Sequence, residues 1–291
     1  MIVSASYRTD IPAFYAEWFL ARLQVGSVRV RNPYGGPPST LSLRPPNVEG
    51  FVFWTRNCEK FRPALAAVAA MGVPFIVQFT VTGYPRSLDV ATIASDRAVA
   101  QLRSLSREFG SVSVVWRYDP IISTSLTPPA WHRDTFRRLA DALAGAVDEV
   151  VVSWAHIYRK TARNLAAATT AGTFTWTDPL AATKQALLVE LAAIAAQRRM
   201  RLSLCSQPEF ACEGVGVARC IDAERLAAIA GRQLSAARKP HRDGCGCWSS
   251  RDIGAYDSCP HGCIYCYAVT NQTLAKRRFH AHDPAHDFLI A

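Results

Sequence analysis

Nine cysteines are spread unevenly along the 291-residue chain. Cys58 stands alone; the other eight lie between residues 205 and 266, and five crowd into the 22 residues from Cys245 to Cys266. The start, MIVSASYRTDIP, lacks the basic-then-apolar layout of an export signal, so a reducing compartment is expected, where clustered thiols serve metals or redox chemistry. The tightest group is Cys259-x3-Cys263-x2-Cys266, within DSCPHGCIYCYA. Three thiolates on one short loop bind three irons of a cubane and leave the fourth without a protein ligand. An electron-transfer 4Fe–4S cluster instead takes four cysteines. An open iron holds a chelating ligand and passes an electron into it, the arrangement needed to reduce a sulfonium. The competing chemistry is a structural zinc held by the same cysteines and a fourth ligand such as His261, Cys247 or His241. Zinc sites usually pair two CxxC-like knuckles, whereas this single loop has one x3 and one x2 gap. The closed ferredoxin run Cx2Cx2Cx3C is absent.

A second group consists of Cys205, Cys212, Cys220 and the Cys245-Gly-Cys247 step. Cys205, Cys220, Cys245 and Cys247 are the set that would hold an auxiliary centre, either a second iron–sulfur cluster or zinc. The plain alternative is that Cys205 and Cys212 are ordinary buried thiols.

The segment CPHGCIYCYA resembles the CxxxCxxC signature of radical S-adenosylmethionine enzymes, including the aromatic Tyr265 before the third cysteine. The resemblance implies that Cys259, Cys263 and Cys266 hold a 4Fe–4S cluster whose open iron is chelated by the amine and carboxylate of S-adenosyl-L-methionine. It also implies that Tyr265 packs near the adenine, and that an electron donor such as flavodoxin or ferredoxin is needed. The expected activity is reductive cleavage of the cofactor to a radical that acts on a further substrate. The chain as a whole resembles an uncharacterised bacterial family with a C-terminal cluster of this type. Its strands QFTVTGYP and WRYDP are similar, more weakly, to the spore photoproduct lyase branch.

Positioning such a loop requires a scaffold. Short apolar, β-branched runs predict strands at Ile2–Ala5, Val28–Val30, Phe51–Trp54, Phe75–Val81, Val112–Trp116, Val150–Trp154 and Arg201–Leu204. Segments of helical period alternate with them, at about Ala13–Leu23, Glu59–Met71, Ala91–Glu108, Pro129–Ala146, Lys184–Arg198 and Ala223–Gly231. That alternation predicts an α/β fold with a parallel sheet. Because the GxGxxG and GxxxxGK[ST] phosphate loops are absent, a (β/α) barrel or partial barrel is preferred over a doubly wound sheet. The motif usually follows the first barrel strand in the family it resembles, but here it lies near the C-terminus. If Ser249–Tyr256 is a strand and Tyr267–Arg278 the helix after the loop, this βα unit sits beside Ile2–Ala5 and the barrel is permuted by one unit. Residues 1–240 then form the barrel body, and 241–291 the cysteine-rich segment that completes it.

The strand ends are polar. They carry Arg8 and Asp10, then Thr55 and Arg56, Gln78, Thr80 and Thr82, Arg117 and Asp119, Ser153 and His156, and finally Cys205, Gln207 and Glu209. Six polar ends converging on one rim argue for a site there. A cofactor carboxylate and ribose need a cation and neutral donors, for which Arg117, Gln78 and Ser153 are the candidates, with Arg8 the alternative cation. No GxSxG elbow suggests Ser-His-Asp catalysis.

With 33 Lys+Arg against 23 Asp+Glu the net charge is +10, which suits an anionic substrate. The longest basic cluster is only Lys276–Arg278, so nucleic acid is not the favoured partner. No stretch of 18 apolar residues suggests a membrane span, and a cytoplasmic location is expected. The competing class is a nucleic-acid-binding or partner-binding protein without radical catalysis, its C-terminus stapled by zinc.

Overall fold

The computed structural model describes residues 1–33, 35–240, 242 and 244–290. Eight strands make one sheet: β1 Ile2–Ala5, β2 Gly50–Thr55, β3 Phe75–Thr80, β4 Val114–Ile121, β5 Glu149–Trp154, β6 Arg201–Leu204, β7 Val215–Val217 and β8 Ser250–Asp252. Every neighbouring pair is parallel, in the order β7-β6-β5-β4-β3-β2-β1-β8. From β1 to β7 each strand lies beside its predecessor on the same side. The chain then returns to the far flank of β1, where Ile2 pairs with Ser250, Val3 with Arg251 and Ser4 with Asp252. The C-terminal unit therefore sits where the sequence places it.

Both faces of the sheet are covered, which is why its strands read as nearly continuous apolar runs. Alternate residues Val3, Phe51, Phe53, Val77, Phe79 and Trp116 pack against the crossover helices, chiefly α1 Ala16–Val25, α2 Arg62–Ala70, α3 Ser95–Phe109 and α4 Pro129–Leu143. Each fully buried aromatic here contributes about 2–3 kcal/mol, so this face is the stabilising core. The intervening residues Ile2, Val52, Ile76, Val115 and Val151 point the other way, onto Cys220, Ile221, Leu226, Cys247 and Trp248. This inner face is thus filled by the segment between β7 and β8. Among the described residues β7 and β8 do not pair, although the Trp248 N–H donates to the Ile221 carbonyl at 3.1 Å.

Several boundaries differ from the sequence reading. Ser27–Val30 leaves the sheet and pairs antiparallel with Ser39–Ser42, because Gly26 caps α1 in the left-handed region and turns the chain away. The strand expected from Val112 begins at Val114, after a 3-10 turn at Ser111–Ser113, and runs on to Ile121. Strand β7 is too short to show a period, and the helix Arg159–Thr170 (α5) was not foreseen. The helix Ala181–Ala196 (α6) and the helix Ala223–Ala230 (α7) lie close to their expected spans. The strand expected over Ser249–Tyr256 is only Ser250–Asp252. The helix expected from Tyr267 starts at Gln272 (α8, Gln272–His280), where the Asn271 side chain accepts the Leu274 N–H at 2.9 Å and fixes the first turn. Among the described residues no helix is long and apolar enough to cross a membrane.

Candidate metal centre

The cysteine loop leaves β8 at the C-terminal end of the sheet and is pinched shut at its base. The Asp257 N–H donates to the Ala268 carbonyl at 3.0 Å, while the Asp257 carboxylate accepts from the N–H groups of Thr270 and Asn271. Its tip is clamped by the segment after β3. Ile264 N–H donates to Leu88 O at 3.0 Å, and Ala91 N–H to His261 O at 2.9 Å. Gly262 makes this close approach possible: its φ is +74°, and a Cβ there would stand 3.1 Å from Val90 Cβ.

Two buried carboxylates hold the loop from below. Asp10, just after β1 and 6% exposed, accepts from Thr55 Oγ1 at 2.8 Å, Arg56 N–H at 2.8 Å, Ala13 N–H at 2.9 Å and His261 Nε2 at 2.8 Å. It ties the ends of β1 and β2 to the middle of the motif. Asp89, 2% exposed, pairs with Arg56 at 2.7 Å and accepts from Thr82 Oγ1 at 3.0 Å and from the Tyr265 hydroxyl. Arg56 also donates to the Tyr265 oxygen at 2.7 Å, and the Tyr84 ring meets the Tyr265 ring edge-on at 5.7 Å. Burial pulls the Arg56 guanidinium down, but Asp89 and Tyr265 hold it well above its ordinary value, so it is a fixed cation.

Cys259, Cys263 and Cys266 lie together within this frame, each close enough to a second one to influence its ionisation. Burial pushes the Cys259 thiol up to about 12, with Asp10 and Cys266 adding to it, and raises Cys263 and Cys266 as well. The Ala268 N–H donates to the Cys266 sulfur at 3.4 Å, and nearby backbone groups of His261 and Asp10 at Cys259, and of Val269 at Cys266, favour the thiolate against burial. Three sulfurs from one loop, with backbone groups favouring the thiolate at two of them, fit a cubane ligated through three irons. The zinc set assembles less well. Cys247 belongs to a different cluster of side chains, His261 spends Nε2 on Asp10, and His241 lies outside the described residues. The other nitrogen, His261 Nδ1, is buried without a hydrogen-bond partner. Among the described residues no three Cys, His, Asp or Glu form a ready shell round a single ion.

The rim residues divide into three groups. Thr55 and Thr82 serve Asp10 and Asp89, and Gln207 spends its amide on the Trp154 backbone at 2.7 and 3.1 Å. Gln78, Arg117 and Asp119 share the inner face with Ser153, whose hydroxyl lies 3.4 Å from Asp119. There Arg117 grips Asp119 with two nitrogens and offers the third to Gln78 Oε1 at 3.2 Å and to the Cys220 sulfur at 3.0 Å. Gln78 Nε2 donates to the Cys220 carbonyl at 2.9 Å. On the other side of Trp54, Arg8 lies against the rings of Tyr7 and Tyr256, its Nε 3.8 Å from Asp252 and lacking a hydrogen-bond partner. Asp252 itself accepts from Ser4, Ser6, Tyr7 N–H and Gly254 N–H at 2.7–3.0 Å. Arg8 borders a cleft of about 340 Å³ that also presents Arg31, Lys239 and Arg251, with Asp252 the one acid among the described residues that line it. His156 is exposed. Asp89, Asp252 and Trp54 escaped the sequence reading. Asp89 sits in a turn, RSLDVA, with no spacing to any other functional residue, and only the fold brings it to Tyr265.

The profile of a protein family described as a domain of unknown function, DUF1848, matches residues 2–268, from β1 to the end of the cysteine motif. The chain belongs to this family. No curated protein and no solved structure matches it.

Proposed function

We propose that this DUF1848 member is a radical S-adenosylmethionine enzyme whose cluster is held by Cys259, Cys263 and Cys266. The observation that carries this reading is the place of the motif. Three thiols with no fourth cysteine stand on the loop after the strand paired to β1, at the C-terminal end of a parallel sheet, where α/β scaffolds put their chemistry. In this reading the sheet curls into a partial barrel permuted by one unit, and residues 241–291 complete the body formed by 1–240. The single direction of winding from β1 to β7 and the bond between Trp248 and Ile221 support that curvature.

When bound, the cluster supplies an electron to the sulfonium of S-adenosylmethionine, drawn from a donor of the flavodoxin or ferredoxin class. The chain's own residues position the cofactor. Tyr265 presents a ring whose angle is fixed by Arg56 and Asp89. Arg117 is committed to Asp119, Gln78 and Cys220, whereas Arg8 keeps an unpartnered nitrogen, so Arg8 is the cation for the cofactor carboxylate. Gln78 and Ser153 remain the neutral donors of the inner face, turned to the Cys220 carbonyl and to Asp119. The basic cleft beside Arg8 suits an anionic substrate.

The test is equilibrium binding of S-adenosylmethionine to the anaerobically reconstituted chain. Arg8→Ala weakens it at least tenfold while leaving iron content unchanged, and Arg117→Ala has the smaller effect. Zinc in place of iron in the purified chain, with no cofactor binding, contradicts the proposal and returns the cysteines to a structural staple.

A further inference from the structure

Cys205, Cys220, Cys245 and Cys247 come from three separate segments and meet on the inner face of the sheet. Cys205 follows β6, where its N–H extends the ladder to the Val152 carbonyl at 2.9 Å. Its sulfur lies 3.5 Å from that of Cys220. Cys247 and Cys245 pack in the same side-chain cluster, near enough that Cys247 influences the ionisation of Cys220, and Cys245 that of Cys247. Backbone bonds hold this arrangement: Trp248 N–H bonds Ile221 O, Lys239 N–H bonds Cys247 O, and Cys245 N–H bonds Arg242 O, each at 3.1 Å, and Ile221 N–H reaches the Cys247 sulfur at 3.4 Å. Gly246 is needed here, because a Cβ would stand 3.1 Å from the Ala218 carbonyl. Cys212, from the same stretch of sequence, is left out; its sulfur faces the Gln185 carbonyl at 3.9 Å.

Cys220 and Cys247 are each 3% exposed, and ordinary thiols so buried have apolar neighbours. Here a cation is aimed at the row in addition to its apolar neighbours. The Arg117 guanidinium stands 3.0 Å from the Cys220 sulfur, and Arg242 carries its charge close enough to Cys205 to feel it. Guanidinium groups beside four thiols suit an anionic tetrathiolate centre better than four neutral thiols. The sulfurs run in a row, 205–220–247–245, so closing round a metal takes side-chain rotations on a backbone already in place.

We propose that Cys205, Cys220, Cys245 and Cys247 form a second metal centre, closed by four protein thiolates and separate from the motif loop. It takes a thiophilic metal, as a tetrahedral zinc or as a 4Fe–4S cluster with no open iron. In either form it pins the segment between β7 and β8 against the inner face.

The proposal is tested in a Cys259→Ala, Cys263→Ala, Cys266→Ala protein. One sample is reconstituted anaerobically with ferrous iron and sulfide, another refolded with zinc chloride alone. Retention of about four irons with visible absorbance in the first identifies a cluster; about one tightly held zinc per chain in the second identifies a single ion. Either is lost when Cys220→Ser and Cys247→Ser are added. A folded triple variant holding neither metal overturns the proposal, as does recovery of a Cys205–Cys220 disulfide from the native protein. If the triple variant does not fold, alkylation of the wild-type chain decides. The four thiols become reactive together when a chelator is added, whereas independent labelling of each before chelation refutes the centre. Because the test reads metal without the motif cysteines, it stands or falls apart from the radical chemistry.

Discussion

Two groups of thiols share one sheet and are built in opposite ways. Cys259, Cys263 and Cys266 are contiguous in sequence, and their loop is shaped from outside by buried charges, with Asp10 below it and the Arg56–Asp89 pair behind Tyr265. Cys205, Cys220, Cys245 and Cys247 are remote in sequence and brought together by backbone bonds and apolar packing on the inner face. The first group offers three thiols on the loop after β8. The second offers four, with Cys220 and Cys247 buried and Cys205 and Cys245 half-buried. On the two proposals above, the first would be a centre open to a ligand and the second one that holds the chain.

Substitutions that strike one group and spare the other sharpen this contrast. The largest effect is expected from Cys263→Ala. On the proposed function it removes a cluster ligand, so iron attributable to the motif loop falls to background while any metal at the inner-face row persists; iron and sulfide analysis reads both. Next comes Asp89→Asn, which leaves Arg56 charged and buried beside Tyr265. Breaking such a pair costs about 3–5 kcal/mol, seen as a lower urea midpoint, and the motif loop should lose iron before the row does. Equal loss at the two groups would show that they are one cooperative unit.

Acid offers a third way to separate them. His132 is buried on α4 and packs edge-on against Tyr84, behind Tyr265. Only Nε2 can donate to the Ile122 carbonyl at 3.0 Å, so Nδ1 accepts from the Tyr118 hydroxyl at 2.9 Å and the ring is neutral. Burial pushes its pKa down from 6.5 to about 4. A base lowered by folding stabilises fully above its unfolded value, and that contribution is lost as pH falls through the folded one. Between pH 6.5 and about 4 the chain therefore loses on the order of 3 kcal/mol from this group. Urea midpoints across that range should flatten in His132→Gln. An unchanged slope would remove His132 as the cause. The smallest effect is at Asn271→Ala, which deletes the cap of α8 and costs about 1 kcal/mol, loosening the base of the motif loop without touching the row.

How much of this was legible in the sequence follows from the same contrast. The place of the motif loop could be read because its three cysteines lie within eight residues and the loop had to follow a strand at the rim. The strand–helix alternation could be read because buried parallel strands are apolar on both faces, and the pairing of Ser250–Asp252 with Ile2–Ala5 followed from where the loop had to stand. The partners of the loop could not. Asp10 and Arg56 show only as polar strand ends, and Asp89 has no sequence relation to Tyr265, from which it is separated by 176 positions. The ribbon Ser27–Val30 was misplaced because a short β-branched run looks the same in a sheet and in a hairpin. Arg117 can be named from its residue type and strand end, but its engagement with Asp119 and Cys220 depends on β4 lying between β3 and β5, which no local pattern encodes.

The most direct test of the central claim is electron paramagnetic resonance of the reduced, anaerobically reconstituted chain, recorded with and without S-adenosylmethionine. The account predicts a signal from a reduced 4Fe–4S cluster that changes on adding the cofactor, and loss of that change in Cys263→Ala. A signal indifferent to the cofactor, or a chain whose motif loop binds zinc and gives no signal, contradicts it.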